Sequence, residues 1–435
     1  MQLETYLQRR QQLLNKLPVN SVVLVPAATE HTRSRDTEYP FRQHSDFWYY
    51  IGFNEPEALL ILSKDQHAHC SALLLCRDKD PFAEMWQGRR LGPEAALTTL
   101  GLPALSIQTQ HEQLSQAING KQAVYLNLGE HIALEQQLRD IMQNMRQREK
   151  RGDIAPVSLH DLRPFSSEQR LIKDNTEISL MRRAANISSQ AHHRAMRFSH
   201  AGAWEYQLEA EILHEFAMQG ARFPAYNTIV GSGENGCVLH YIENAHQLKS
   251  GDLVLIDAGC ELLGYAADIS RTFPVNGVFS PEQAALYKLV LEAQLACIAA
   301  VKPGASFAIL NAIAERILTE GLLTLGILQG ELDTLIENKA CKQYFMHGIG
   351  HWLGLDVHDV GAYKSAGQDR PFEPGMVLTI EPGLYISSNS AAAAKWWGLA
   401  IRIEDNILVT ESGAENLTAG CVKTVADIEQ LMQNS

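Results

Sequence analysis

Over the first 160 or so residues, apolar runs of strand length alternate with amphipathic stretches. Ser21 to Ala27 (SVVLVPA), Phe47 to Phe53 (FWYYIGF), Ala58 to Ser63 (ALLILS) and Ala123 to Leu128 (AVYLNL) are rich in β-branched, aromatic and aliphatic residues, and the pattern predicts strands. Met1 to Leu17, Pro93 to Leu100 and His111 to Ile118 read as helices. The combination predicts an α/β domain with a mixed sheet flanked by helices. The basic stretch Arg146 to Asp153 (RQREKRGD) reads as a solvated helix end. The boundary falls between Leu162 and Asp174, which divides the chain into a domain at 1–165, a linker at 166–173 and a second domain at 174–435.

From Asp174 the pattern changes. Asp174 followed three residues later by Glu177 forms a capping box, and Ile178, Met181, Ala185, Ala191 and Ala195 follow one helical face. A second helix, Trp204 to Gln219, precedes two β-type runs, Asp252 to Ala258 (DLVLIDA) and Tyr265 to Phe273 (YAADISRTF). The order then recurs: a capped helix from Ser280 with Pro281 at its first position, a helix over Phe307 to Glu320, and β runs at Met376 to Ile386 (MVLTIEPGLYI) and Leu399 to Thr410 (LAIRIEDNILVT). Gly202-Ala203-Trp204 with Leu208 matches Gly304-Ala305-Ser306 with Leu310. The second domain is thus expected to be a duplicated α-α-β-β unit.

Composition narrows the class without naming a function. The 435 residues are 46% hydrophobic and 20% charged, as in globular chains. Lys plus Arg total 37 against 50 Asp plus Glu, a net charge of -13, which disfavours nucleic acid and anionic lipid as partners. No apolar run reaches the roughly 18 to 20 residues that cross a bilayer, and the first 17 residues lack a signal-peptide core. Seven scattered cysteines without a CxxC pair suggest reduced thiols and offer no zinc spacing. A cytoplasmic location is expected.

The candidate chemistry lies in the β runs of the second domain. If the runs containing Asp257 and Asp268 form a hairpin turning near 262–264, the two aspartates oppose each other, a destabilising arrangement that a bound cation would reverse. Taken alone, each could be a water-facing strand end, but Asp257 follows the apolar run Leu253 to Ile256. Glu381 likewise follows an apolar run, and alternation puts Arg402 and Glu404 on one face of IRIED. Glu373, ahead of Pro374-Gly375, reads as a turn residue. His347, His351 and His358 fall in the glycine-rich MHGIGHWLGLDVHDVG, and His240 lies in CVLHY. The spacing is not HExxH, and His192-His193 read as surface residues. Four carboxylates and an imidazole suit two hard or borderline divalent cations, manganese above zinc, cobalt or iron, and metal-assisted hydrolysis.

A rival motif, Gly231-Ser232-Gly233-Glu234-Asn235-Gly236, is a literal GxGxxG with Asp257 about 20 residues on, as in a nicotinamide-binding fold. CVLHYIEN follows it where a phosphate-binding helix should stand, and no Gly-Lys-Ser/Thr follows to make a P-loop.

Across nearly its whole length the chain resembles aminopeptidase P, the proline-specific Xaa-Pro aminopeptidases of the pita-bread metallopeptidases. The likeness is carried by FRQHSDFWYYIGFNEPE at 41–57, WQGRRLG at 86–92, YNTIVGSGENGCVLHY at 226–241, LIDAG at 255–259, His347 to Asp359 and Ile401 to Asp405. It implies a creatinase-like N-terminal domain, a pita-bread catalytic domain and hydrolysis of the N-terminal Xaa-Pro bond. Metal ligands fall on Asp257, Asp268, His351, Glu381 and Glu404, with Asp268 and Glu404 bridging both ions. By the same resemblance a metal-bridging hydroxide attacks the carbonyl, Glu381 shuttles the proton, His240 and His358 stabilise the intermediate, and His347 helps form the pocket. Arg402 would orient a ligand or pocket residue, Tyr385 would wall the proline pocket, and Trp86 would reach a neighbouring subunit's site, which implies a homo-oligomer, dimer or tetramer.

A prolidase shares these ligands but accepts only dipeptides. A metal-free creatinase-like enzyme or a non-catalytic peptide-binding module would be expected to lack ligands that this chain keeps.

Overall fold

The computed structural model describes residues 3–433. Met1 and Gln2, the expected start of the first helix, lie outside them, and that helix runs Leu3–Lys16. One compact unit ends at Arg170 and a second begins at Leu171. The helix Arg163–Leu171 carries most of the segment expected as a linker.

The first unit is built on one mixed six-stranded sheet, in the order Ala104–Ser106, Cys70–Cys76, Leu59–Lys64, Ser21–Pro26, Ala123–Leu126, Ser158–Asp161. The joins on either side of Leu59–Lys64 are antiparallel and the others parallel. Alternate residues Val22 and Leu24, Leu59 and Ile61, and Val124 and Leu126 face one core, closed by Leu114, Ile118, Leu138 and Ile141 from the helices.

One predicted strand is a helix. FWYYI belongs to Ser45–Ile51, whose Phe47, Tyr49, Tyr50 and Ile51 are all buried. A segment buried around most of its circumference has no polar stripe, so periodicity cannot separate it from a buried strand. The helix stops at Gly52, which takes the left-handed conformation (φ 66°) and returns its N–H to the Trp48 carbonyl. The carbonyls of Tyr49 and Tyr50 accept from Arg9 at 3.2 Å and Arg10 at 2.8 Å.

The second unit carries the expected duplication. Helices Asn175–Phe198 and Glu205–Met218 pack together, as do Pro281–Ala300 and Phe307–Thr324, and the first helix of each pair has its capping box, Asp174 with Glu177 and Ser280 with Gln283. Leu208 and Leu310, the matching positions of the second helices, are both fully buried.

Each long β run is broken into two short strands assigned to different sheets. Leu253–Asp257 pairs with Ser270–Pro274 and Ile229–Ser232, while Cys260–Leu262 pairs with Tyr265–Ala266 and Phe223–Pro224. In the second half, Val377–Ile380 pairs with Asp405–Val409 and Gly383–Ile386 with Leu399–Arg402. The four carboxylates stand at these breaks. Asp257 ends its strand, and Asp268, Glu381 and Glu404 lie between strands.

The first hairpin corrects the expected register. Leu262 pairs with Tyr265 across a two-residue turn of Leu263 and Gly264, both at positive φ, so Asp257 faces Ser270 and not Asp268. A Cβ at Gly259 would lie 1.7 Å from the Ala267 carbonyl oxygen, so the backbones cross here at a distance only glycine permits. The glycine-rich Gly231 to Gly236 leads from a strand antiparallel to Leu253–Asp257 into a short 3-10 turn, not from a parallel strand into a helix. That removes the nicotinamide reading. Glu373 is a turn residue: its carbonyl accepts from the Met376 N–H at 3.1 Å, with Gly375 at φ 91°.

Candidate metal centre

The strand breaks of both halves deliver their carboxylates to one cavity of about 520 Å³, lined by Asp257, Asp268, His351, Glu381 and Glu404 together with His240, His347, His358 and Arg402. Ligand atoms of Asp268, His351 and Glu404 lie within 4.8 Å of one another. His351 Nε2 is 3.4 Å from Asp268 Oδ2 and 3.5 Å from Glu381 Oε1. Two donors each about 2.0 to 2.1 Å from a tetrahedral ion stand roughly 3.3 to 3.4 Å apart, so these separations are those of ligands around a cation.

The histidines are set by their loops. The His351 Nδ1 faces the Trp352 carbonyl at 2.9 Å, which fixes the tautomer that leaves Nε2 free for a metal. Thr379 Oγ1 accepts from the His351 N–H at 3.1 Å and donates to Glu381 Oε1 at 3.3 Å, tying the imidazole to the carboxylate. A Cβ at Gly350 would fall 1.9 Å from the Thr379 carbonyl, so the histidine loop can lie against this strand only through a glycine. The His358 ring packs edge-on to His351 with centroids 4.3 Å apart.

A layer of hydrogen bonds supports the ligands. Arg402 reaches Asp257 Oδ2 at 2.7 Å, the Tyr385 hydroxyl at 2.9 Å and Ser270 Oγ at 2.9 Å, and Ser270 Oγ donates to Glu404 Oε2 at 2.7 Å. The Tyr226 hydroxyl lies 2.6 Å from Asp257 Oδ1 and 2.5 Å from Asp268 Oδ1. Sequence reasoning gave no role to Tyr226, Ser270 or Thr379. The signal available for Tyr226 was its place in the YNTIVGSGENG motif; Ser270 and Thr379 look like ordinary strand residues.

Without cations the cluster is electrostatically unfavourable. Burial, then the charge of Asp257, raises the Asp268 carboxyl, and burial with Asp268 and Glu381 raises Glu404 well above the usual range. Burial also lifts Glu381 to about 7, against the opposing pull of His351. Burial would lower His351, but Asp268 and Glu381 outweigh it and carry the imidazole to about 9. Burial, then Arg402, pushes His347 down to about 4, and burial, then His351 and His240, lowers His358. Concentrated buried negative charge of this kind fits divalent cations.

Two expectations, for Tyr385 and for the pair His192 and His193, land elsewhere. Tyr385 is buried behind the lining, its hydroxyl between Arg402 and His347 Nε2 at 2.8 Å. Trp86 belongs to the first unit, on the helix Pro81–Gln87, and is 75% exposed. His192 is not a surface residue, and His193 is half-buried. His192 is fully buried with Nε2 3.0 Å from the Ala258 carbonyl, and His193 Nε2 accepts from the Val422 N–H at 3.0 Å.

A duplicated unit whose strand breaks gather four carboxylates and an imidazole in one cavity defines a metal-dependent hydrolase. The chain belongs to metallopeptidase family M24, whose model matches residues 179–411, and residues 6–125 match the aminopeptidase P N-terminal domain. It is 49% identical over 432 residues to the Xaa-Pro aminopeptidase of Escherichia coli, covering 99% of this chain and 97% of that one. The proline aminopeptidase P II of Yersinia pestis superposes with a TM-score of 0.98 at 49% identity over 100% of both chains. The zinc-substituted E. coli aminopeptidase P in complex with product gives a TM-score of 0.98 at 48% identity, covering 100% of this chain and 99% of that one.

Proposed function

We propose that the chain hydrolyses the N-terminal Xaa-Pro bond of peptides, releasing the first residue, with Asp257, Asp268, His351, Glu381 and Glu404 holding two divalent cations. The observation that carries this reading is the convergence of these five donors, drawn from both halves of the duplication, on one cavity. Bound there, the cations would polarise the scissile carbonyl and make the attacking water acidic enough to react near neutral pH. Manganese is assigned because the donors are oxygen and imidazole without thiolate; zinc and cobalt suit the same set.

Glu381 takes the proton of the attacking water and delivers it to the proline nitrogen as the C–N bond breaks, so the shortened peptide leaves with proline at its start. His240 and His358 line the cavity and present ring N–H groups to the carbonyl oxygen as charge develops on it. His347 bounds the pocket, and Tyr385 and Arg402 hold His347 and Asp257 in place. An Xaa-Pro bond has no N–H and a fixed ring. The apolar wall of Ile229, Leu239, Ile242 and Val357 accepts that ring without needing a backbone donor.

A cytoplasmic location accompanies this reading, supported by seven free cysteines. Among the described residues no helix is long and apolar enough to cross a membrane. A homo-oligomer, dimer or tetramer, is assigned as well, with Trp86 directed at a neighbouring subunit. Support comes from the exposed apolar face of Phe82, Met85 and Trp86 on one short helix.

The test compares Xaa-Pro-Yaa, Xaa-Pro and Xaa-Ala-Yaa peptides with chelator-stripped enzyme refilled with Mn²⁺, Zn²⁺ or Co²⁺. Metal-dependent cleavage of Xaa-Pro-Yaa, with Xaa-Ala-Yaa spared, is expected. Turnover confined to the dipeptide would make the chain a prolidase instead.

A further inference from the structure

The first unit holds a second group of metal-type donors. One ring nitrogen each of His44 and His131 and one oxygen of Glu130 lie within 4.8 Å of one another. His44 Nε2 is 3.4 Å from Glu130 Oε2, a separation matching His351 to Asp268 in the catalytic cluster. It is too long for a good hydrogen bond and equal to the roughly 3.3 to 3.4 Å between two ligands of a tetrahedral ion. The two imidazoles meet edge to face with centroids 5.3 Å apart, so they do not stack on one another.

The donors are held in place, and Glu130 Oε1 also lies 3.8 Å from Arg163 Nη1. His44 immediately precedes the helix Ser45–Ile51 and His131 the helix Ile132–Gln147, so each ring projects from a fixed backbone. Asn127 Nδ2 donates to Glu130 Oε2 at 3.0 Å and to Asp46 Oδ2 at 2.9 Å, orienting the carboxylate as an outer-layer partner of a metal ligand would. His131 Nε2 and His44 Nδ1 are buried and have no hydrogen-bond partner among the described residues. Leaving a buried ring nitrogen without a partner is costly, and a cation bound at His131 Nε2 would remove that cost there. The positive ends of the two helices oppose a cation. Each first turn, however, already contains its own acid, Asp46 in one and Glu135 in the other.

We propose that His44, Glu130 and His131 form a zinc-binding site separate from the catalytic donors, with water as the fourth ligand. Two imidazoles and one carboxylate are a donor set zinc accepts, and the partial exposure of His44 and Glu130, 26% and 38% of their side chains, leaves room for that water. The site pins the chain just ahead of the Ser45–Ile51 helix to the start of the Ile132–Gln147 helix, elements far apart in sequence, so its role is structural.

Metal analysis of the whole enzyme tests this. Wild type, Glu130→Gln and His131→Ala are loaded with Zn²⁺, dialysed and assayed for zinc per chain, with circular dichroism to confirm folding and thermal unfolding with and without Zn²⁺. Both variants should retain about one zinc ion fewer than wild type while still hydrolysing Xaa-Pro-Yaa. Their unfolding temperature should respond less to added zinc. Equal zinc content in wild type and folded Glu130→Gln overturns the proposal. Should His131→Ala fail to fold, Glu130→Gln decides alone.

Discussion

Arg402 holds Asp257 at 2.7 Å, so a guanidinium from the second half of the duplication clamps a carboxylate from the first. The same side chain reaches Tyr385 and, through Ser270, Glu404, which makes one planar fork the common support of two proposed metal ligands. Lysine keeps the charge but cannot reach three partners in one plane. Arg402→Lys is therefore expected to fold while losing roughly 10- to 100-fold in metal affinity, measured by titrating Mn²⁺ into the stripped protein. Unchanged affinity would remove Arg402 from the support of the site.

Tyr226 sits with one hydroxyl between two carboxylates. One proton cannot serve both acceptors fully, so the hydroxyl orients Asp257 and Asp268 toward each other. Burial, then the two aspartates, raises its pKa far above the ordinary phenol, so it stays a donor throughout the neutral range. Tyr226→Phe should leave the fold intact and weaken metal binding by roughly tenfold or more. Its activity should recover at high Mn²⁺, because chemistry at the loaded site does not need the phenol; a deficit persisting at saturating metal would place the hydroxyl in the reaction itself.

The raised carboxylates make the metal-free protein unusual in its response to pH. A carboxyl whose folded pKa exceeds its unfolded value keeps protons in the native state that the unfolded chain releases, so it favours folding at lower pH. For Glu381 the interval runs from about 7 down to the unfolded value of roughly 4.3, and Asp268 and Glu404 act in the same direction. In chelator at neutral pH, Glu404→Gln should therefore unfold at least about 2 °C above wild type, since it removes one buried negative charge. With Mn²⁺ at 100 times its dissociation constant the order should reverse, because wild type gains about 2.7 kcal/mol that the variant forfeits in part. Melting curves in the two conditions check this, and a wild type that is the more stable in both would contradict the electrostatic account.

How much of this was readable in the sequence varied with the physics. Capping boxes at Asp174 and Ser280 are local chemistry, and both helices begin there. The carboxylates at 257 and 381 stood out because acids after apolar runs are costly without a partner, while the full donor set at 257, 268, 351, 381 and 404 came from the resemblance to aminopeptidase P. The Ser45–Ile51 helix was unreadable as such, since its apolar residues are buried nearly all round and the arginines that donate to its last carbonyls lie on another helix. The register of Asp257 turned on one choice of turn, because a two-residue turn at Leu263 and Gly264 moves its partner from 268 to 270. Ser270 and Thr379 act through partners on other segments, which no local pattern marks, and Tyr226 was marked only by its place in a motif.

His192 belongs to that same class, and its burial sets an acid limit on stability. The ring faces the Ala258 carbonyl beside Asp257, so it braces the strand end that presents a proposed metal ligand. Burial outweighs that hydrogen bond and holds the imidazole at about 4, below the unfolded value of roughly 6.5. A depressed folded pKa means that the unfolded chain takes up the proton first. The neutral ring's contribution is thus complete above about pH 6.5 and is lost as pH falls toward 4. Between pH 7 and pH 5 the loss from this one group is about 2 kcal/mol, while the raised carboxylates push stability the other way over the same interval. His192→Gln keeps an N–H for the Ala258 carbonyl but cannot take up the proton, so it isolates the histidine term. In urea unfolding of the stripped proteins, wild type should lose about 2 kcal/mol more than His192→Gln between pH 7 and pH 5. Parallel pH dependences would mean that His192 titrates alike in the folded and unfolded chains.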